Sequence, residues 1–282
     1  MTATADVPQT ESRTVDANGI NIHYLEAGKG EPLVLLHGGM VSTNPIWTGV
    51  PISYAMHMPT LSDHFRVIAP DTRGAGRTVH SGGNVTFDLL ADDVAALINA
   101  LGLERPLVAG FSDGGITATI LGIRHPGCVR AIANHAGYDA FDPQAPTFAM
   151  LQQMLGGGPD ATEADPDAAA RFFSQSSEMQ AAFELMQADE DSGQGKDHWK
   201  EYLRLVFHRV TQPPGYTMSD FHAIAAPTLI LVGDRDEFCS VEEGVRAYRT
   251  LTQGEFAVVP NTSHIITAPL VQVMVEFLER RS

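Results

Sequence analysis

Cysteine is scarce in this chain. Cys128 and Cys239 are all it has across 282 residues. Two cysteines so far apart in sequence make neither a disulfide framework nor a CxxC redox or zinc motif. Basic charge is also scarce: 18 Lys and Arg face 34 Asp and Glu, a formal net charge of −16. So acidic a surface repels phosphate backbones and anionic headgroups, which argues against nucleic-acid binding and against a membrane-surface role. No apolar run approaches the ~20 residues that cross a bilayer. Residues 1–10 show neither a basic segment nor an apolar core, so no secretory signal is read there and the expected compartment is the cytoplasm. The 11 histidines form no H-x-H or H-E-x-x-H pattern, so no metal site is expected.

What is present is a regular alternation. Apolar content of 44% and charged content of 18% suit a folded globular chain. Residues 1–12 are polar and irregular and read as a loose tail. Segments 13–17 and 20–24 flank Asn18-Gly19, a hairpin signal. Buried-strand runs follow at 32–37 and 66–70. Thr86 can cap a helix whose apolar residues Phe87, Leu90, Val94, Leu97, Ile98 and Leu101 recur at helical spacing, with Gly102 to end it. Strands at 106–110 and 129–134 enclose a helix over 115–125. The same alternation returns with a strand at 228–232, a helix at 241–252, a strand at 255–260 and a helix over about 266–281. Strands alternating with helices predict an α/β protein with a doubly wound, mostly parallel sheet covered on both faces.

Between these halves the pattern lapses. Residues 138–220 carry Gly156-Gly157-Gly158-Pro159, an acidic stretch at 163–167 and helix-like segments at 168–188 and 196–210. They read as an inserted helical cap on a core made of residues 1–137 and 221–282. Met150, Met154, Phe172, Phe173, Met179, Phe183 and Met186 give this insertion an apolar face. Such a face either lines a pocket for an acyl or aryl group or packs the cap onto the core, and packing is the commoner use. Trp47, Tyr54, Met56 and Met58 are candidates for the pocket floor.

The densest signal is Gly110-Phe111-Ser112-Asp113-Gly114, set between an apolar strand and a helix. A serine at the apex of a strand-to-helix turn projects its hydroxyl clear of the sheet. Glycines two residues to either side remove side chains that would collide there. A serine hydroxyl needs a base, a group to orient the base, and donors for the oxyanion. His264, in the loop after the last strand, is the candidate base. Asp236, beyond strand 228–232, is the candidate orienting acid, with Asp234 and Asp139 as competitors. The backbone N–H groups of Asp113 and Gly39 are the candidate oxyanion donors, with Met40 as the alternative to Gly39.

These elements resemble the α/β-hydrolase superfamily over about residues 13–137 and 220–281. The resemblance rests on the elbow, His37-Gly38-Gly39, the segment Asp71–Thr78, Gly233–Asp236 and Asn261–His264. It implies the α/β-hydrolase fold with an inserted cap, the triad Ser112, Asp236 and His264, and an acid at the last position of the Gly-x-x-Asp element, which favours Asp236 over Asp234. The Asp71–Gly76 segment is similar to a family element that is mostly structural. Epoxide hydrolases and haloalkane dehalogenases of this fold carry an aspartate at the elbow, so Ser112 argues against both. The Ser-Asp-Gly-Gly sequence is similar to that of biphenyl-hydrolase-like esterases. Asp113 either faces the pocket, where it would attract a cationic group, or turns into a local hydrogen-bond network.

The expected activity is a cofactor-free serine hydrolase, acting on a carboxylic ester or lactone through an acyl-enzyme. Its expected substrate is a small molecule, neutral or cationic, with an apolar part. Two alternatives stand beside it: a C–C bond hydrolase or cofactor-free haloperoxidase using the same residues, and a ligand-binding protein with little turnover.

Overall fold

A computed structural model describes residues 10–44, 52–80 and 82–282. Its described strands form a single sheet of eight, in the order β1-β2-β4-β3-β5-β6-β7-β8. They span Glu11–Ala17 (β1), Ile20–Ala27 (β2), Pro32–Leu36 (β3), Arg66–Pro70 (β4), Leu107–Phe111 (β5), Ala131–His135 (β6), Thr228–Gly233 (β7) and Gly254–Val259 (β8). β2 runs antiparallel to both β1 and β4, and every other pairing is parallel. Asn18 and Gly19 both have positive φ, 47° and 75°, as a two-residue hairpin between right-twisting strands requires.

The helices are α1 (Met58–His64), α2 (Phe87–Ala100), α3 (Asp113–Arg124), α4 (Thr147–Gly156), α5 (Pro166–Phe173), α6 (Ser177–Gln194), α7 (His198–Val210), α8 (Val241–Thr250) and α9 (Ala268–Glu279). Thr86 caps α2, its hydroxyl accepting from the Leu89 N–H. The buried stripe of α2 is Phe87, Leu90, Ala91, Val94, Leu97 and Ile98, the face its periodicity predicts. β5, β6 and β7 are buried along their whole length, the mark of parallel strands covered on both sides. Among the described residues no helix is long and apolar enough to cross a membrane.

Three differences from the sequence expectations have local causes. The expected tail over 1–12 gives way to β1 from Glu11, because residues 11 and 12 pair with Glu26 and Leu25; residues 1–9 lie outside the described residues. The helix-like stretch 168–188 is two helices. Asp165 caps one, with Pro166 in its first turn, and the side chain of Ser176 restarts the chain as α6 by accepting from Met179 N–H. A helix over Thr147–Gly156 was not anticipated; it ends at Gly157 in the left-handed conformation.

The topology decides where chemistry can sit. From β3 the chain steps to one side to form β4, then returns to the other side of β3 to form β5. The carboxyl ends of β3 and β5 therefore flank the switch point, where open α/β sheets leave a crevice.

Candidate active site

Ser112 is the single residue between β5 and α3, with φ 52° and ψ −119°. A non-glycine residue in that region carries strain of order 1–3 kcal/mol, which its neighbours must hold. The Ser112 N–H donates to the His135 carbonyl at 2.9 Å, and its own carbonyl accepts from the Ile116 N–H at 3.0 Å. The flanking glycines allow the turn. A Cβ on Gly110 would lie 2.2 Å from the Gly114 carbonyl carbon, and one on Gly114 would lie 2.4 Å from the Leu36 carbonyl oxygen. Strand, helix and neighbouring strand thus approach closer than any side chain permits.

The loops after β7 and β8 deliver Asp236 and His264. The His264 Nδ1 lies 3.0 and 2.9 Å from Asp236 Oδ1 and Oδ2. Asp236 Oδ1 also accepts from the N–H groups of Phe238 (2.9 Å) and Cys239 (2.8 Å). These donors satisfy a fully buried carboxyl group, which also accepts from the His264 ring and so places the ring proton on Nδ1. Nε2 is then the ring's accepting nitrogen. The imidazole is flanked by the rings of Phe111 and Phe238, with centroids 4.7 and 4.6 Å away. Phe111 immediately precedes Ser112, so the ring is set beside the elbow.

Two competitors for the acid position fall elsewhere. Asp234 is exposed, and its Oδ1 accepts from the Thr262 N–H at 3.1 Å. It ties the loop after β7 to the loop after β8. Those loops pass so closely that a Cβ on Gly233 would lie 2.0 Å from the Thr262 carbonyl oxygen. Asp139 follows β6 and is buried. It accepts from the Cys239 thiol at 3.2 Å, and burial pushes its pKa up to about 6.

The loop after β3 is pinned by His37. Its Nδ1–H donates to the Gly38 carbonyl at 2.7 Å, and its Nε2 accepts from the Thr72 N–H at 3.0 Å. Burial lowers the His37 pKa, so the ring is neutral with a defined tautomer. Gly39 lies directly on Asp113: a Cβ there would be 2.9 Å from Asp113 Oδ2. Met40, the alternative to Gly39, has φ 60°.

Of the two readings of Asp113, the structure shows the local hydrogen-bond network. The Asp113 Oδ2 accepts from Nε and Nη2 of Arg209, on α7, at 3.0 and 2.9 Å. The Arg209 side chain is 1% exposed, that of Asp113 11%. The charge is spent internally, and the expectation of a cationic substrate loses its basis in Asp113. The apolar face of the insertion also divides. Phe183 and Met186 are buried in the main core, with Met154 and Phe173 packed against it, so packing is their use. Tyr54 and Met58 belong to that core as well and Met56 is exposed; Trp47 lies outside the described residues.

Sequence reasoning missed several organising residues. Asn134, fully buried, donates to Thr119 Oγ1 (2.7 Å) and the Gly137 carbonyl (3.0 Å), and accepts from the Gly137 N–H (2.8 Å). It fastens the exit of β6 against the elbow. A lone amide in an otherwise apolar strand was its visible signal, because a buried polar group must find partners. Arg209 gave no such signal, since its partner is 96 residues away. Among the described residues, no group of three or more His, Cys, Asp or Glu side chains is placed to hold a metal ion.

Comparison with known proteins agrees with this fold. The family described as "Alpha/beta hydrolase family" matches residues 33–280. The AB hydrolase superfamily protein YisY of Bacillus subtilis (strain 168) is 29% identical over 259 residues, covering 87% of this chain and 89% of that protein. The 2-hydroxy-6-oxo-6-(2'-aminophenyl)hexa-2,4-dienoic acid hydrolase of Metapseudomonas resinovorans is 33% identical over 123 residues, which span 43% of this chain and only 40% of that relative. A thermophilic esterase from Thermogutta terrifontis superposes with a TM-score of 0.70 at 22% identity, covering 96% of this chain and all of that one, a likeness of fold.

Proposed function

The chain belongs to the alpha/beta hydrolase family, and we propose that it is a serine hydrolase cleaving a carboxylic ester or lactone through an acyl-enzyme. One juxtaposition carries the reading: a strained serine at the β5–α3 elbow, with the Asp236–His264 pair packed on the preceding Phe111. In the proposed reaction Ser112 Oγ attacks the carbonyl carbon while its proton passes to His264 Nε2. Asp236 stabilises the imidazolium. The carbonyl oxygen becomes an oxyanion and accepts from the N–H groups of Gly39 and Asp113, the latter in the first turn of α3, where the helix field also favours negative charge. The C–O bond then breaks, and the leaving oxygen takes the proton from His264. Water gives a proton to the same imidazole, attacks the acyl carbon and releases the acid, restoring the Ser112 hydroxyl.

Residues 138–220 act in this reading as a cap fastened to the core. Asp189 accepts from Ser42, Glu190 from the Gly76 N–H, and Asp113 from Arg209. A second reading, C–C bond cleavage by the same three residues, is favoured by the similarity to the dienoic acid hydrolase. Turnover of aryl and alkyl esters against a vinylogous diketone separates the two.

The decisive experiment is intact-mass analysis after fluorophosphonate treatment, beside Ser112→Ala. One adduct on the wild type and none on the variant is expected. An unmodified wild type, or equal labelling of both, overturns the nucleophile assignment and brings forward a binding protein with little turnover.

A further inference from the structure

At the β1 edge of the sheet a second serine, histidine and aspartate are hydrogen-bonded in series. Ser12 Oγ lies 2.8 Å from His23 Nε2, and His23 Nδ1 lies 2.7 Å from Asp71 Oδ2. The strands bring the first two together. In the β1–β2 register Thr14 pairs with His23 and Ser12 with Leu25, so Ser12 and His23 are diagonal neighbours on one face. Asp71 directly follows β4, the strand on the other side of β2.

The proton positions follow from the partners. Besides His23, Asp71 accepts from the Thr43 N–H (2.9 Å), the Thr43 hydroxyl (2.6 Å) and the Arg77 N–H (3.0 Å). Burial alone would raise its pKa, but the hydrogen bonds from His23, Thr43 and Arg77 outweigh it and hold the carboxylate below its ordinary value. An ionised Asp71 takes the proton on His23 Nδ1. The Nε2 of the neutral ring then accepts from the Ser12 hydroxyl, as a general base does. His23 is also fixed through its backbone: its N–H donates to Thr78 Oγ1 at 3.0 Å and its carbonyl accepts from the Asp71 N–H at 2.9 Å. His23 and Asp71 are buried, whereas Ser12 is exposed. The reactive end of the series is therefore its open end. Asp71 has its structural donors without Ser12, so holding the Asp71–Thr78 segment does not account for the serine.

We propose that Ser12 is a second nucleophilic serine, a site of self-acylation that takes the acyl group of an ester with a weakly basic leaving group. Ser12 Oγ attacks the carbonyl carbon while its proton passes to His23 Nε2, and Asp71 stabilises the imidazolium. The bond from the acyl carbon to the leaving oxygen breaks, that oxygen takes the proton from His23, and an ester on Ser12 remains. The strand sets the limit of this chemistry. Successive N–H groups of an extended strand point to opposite edges, so β1 offers Ser12 no converging pair of donors for an oxyanion. Activated esters react, the acyl-serine hydrolyses slowly, and the product is a modified protein. Fluorophosphonate, which draws on such a donor pair, remains a probe of Ser112. The acylation of Ser12 does not depend on the reading of Ser112.

The test uses the full chain carrying Ser112→Ala, so that the elbow takes no acyl group. It is incubated with p-nitrophenyl acetate, and acetylation is followed by peptide mass mapping. Ser12 should acetylate about a hundredfold faster than Ser174, an exposed serine whose hydroxyl donates to the Arg171 carbonyl at 2.8 Å. His23→Gln should abolish that difference. Since this change could loosen β2, Ser12→Cys with His23 intact provides a second measure. A thiol beside an imidazole forms thiolate readily, so iodoacetamide at pH 6 should alkylate the introduced thiol about tenfold faster in the folded chain than in urea. Acetylation of Ser12 no faster than that of Ser174, labelling undiminished in a folded His23→Gln chain, or a thiol that reacts at its unfolded rate overturns the assignment.

Discussion

The thiol of Cys239 donates to Asp139 Oδ1 at 3.2 Å, while the backbone N–H of the same residue donates to Asp236 Oδ1 at 2.8 Å. One residue thus holds two carboxyl groups in different surroundings. Asp236 collects N–H donors and a histidine, whereas at Asp139 burial outweighs the hydrogen bonds it receives and its pKa rises to about 6. Of the two, Asp236 is the one that bonds the His264 ring.

Turnover should separate the two. Asp236→Asn is expected to lower kcat by ~10⁴-fold, through loss of tautomer control over His264. Asp139→Asn should leave kcat within about tenfold, because the amide oxygen still accepts the Cys239 thiol. Steady-state kinetics on one ester substrate checks both, and equal losses would contradict the assignment of Asp236. Asp139 also has a stability signature. An acid whose folded pKa is raised contributes stability below its unfolded pKa, and that stability is lost as pH rises through the folded value, here from about 3.8 to about 6. Asp139→Asn should therefore flatten the fall in Tm between pH 4 and pH 6.5.

Glu190 gives the same sign in a higher window. It lies on α6, 1% exposed, with both carboxyl oxygens 3.0 Å from the Gly76 N–H. Burial, reinforced by Asp189, Asp71 and Asp191, raises its pKa to about 9. The folded protein therefore holds a proton that the unfolded chain releases above about 4.5, and stability falls as pH rises towards 9. Glu190→Gln, isosteric with the protonated acid, should raise Tm at pH 8–9 and change it little at pH 4.5. Thermal melts across this range check it; an unchanged slope would mean that Glu190 ionises freely.

The Arg209–Asp113 pair should behave as a buried ion pair. Arg209→Met leaves the Asp113 carboxylate buried and unpaired, with an expected loss of ~3–5 kcal/mol. Asp113→Asn combined with Arg209→Met removes both charges and should recover much of that loss. Urea unfolding of the single variants and the pair closes the cycle. Additive losses would show that the two side chains do not interact.

Gly110→Ala tests the elbow itself. Its Cβ would lie 2.2 Å from backbone atoms of Gly114, which no rotamer relieves. The expected result is a loss of about 2 kcal/mol or more in stability, together with loss of fluorophosphonate labelling. Circular dichroism melts and intact mass read the two outcomes separately.

The sequence by itself determined the architecture. Buried-strand runs, the Asn18-Gly19 turn, the Thr86 cap and the stripe of α2 are local signals, because hydrophobic periodicity and turn chemistry act within a few residues. The elbow was legible for the same reason: a glycine–serine pattern between strand and helix carries its own steric logic. The pairing of His264 with Asp236 was legible only as strand order plus resemblance, and the structure supplies the distances. What tertiary structure alone decided are the partners of buried charge. Whether Asp113 met substrate or protein depended on Arg209, Phe183 packed inward because Phe173 of α5 and Trp199 of α7 meet it, and Asp139 rose in pKa because the fold buries it. Those outcomes depend on which side chains are brought together from distant parts of the chain, and local periodicity holds no information about that.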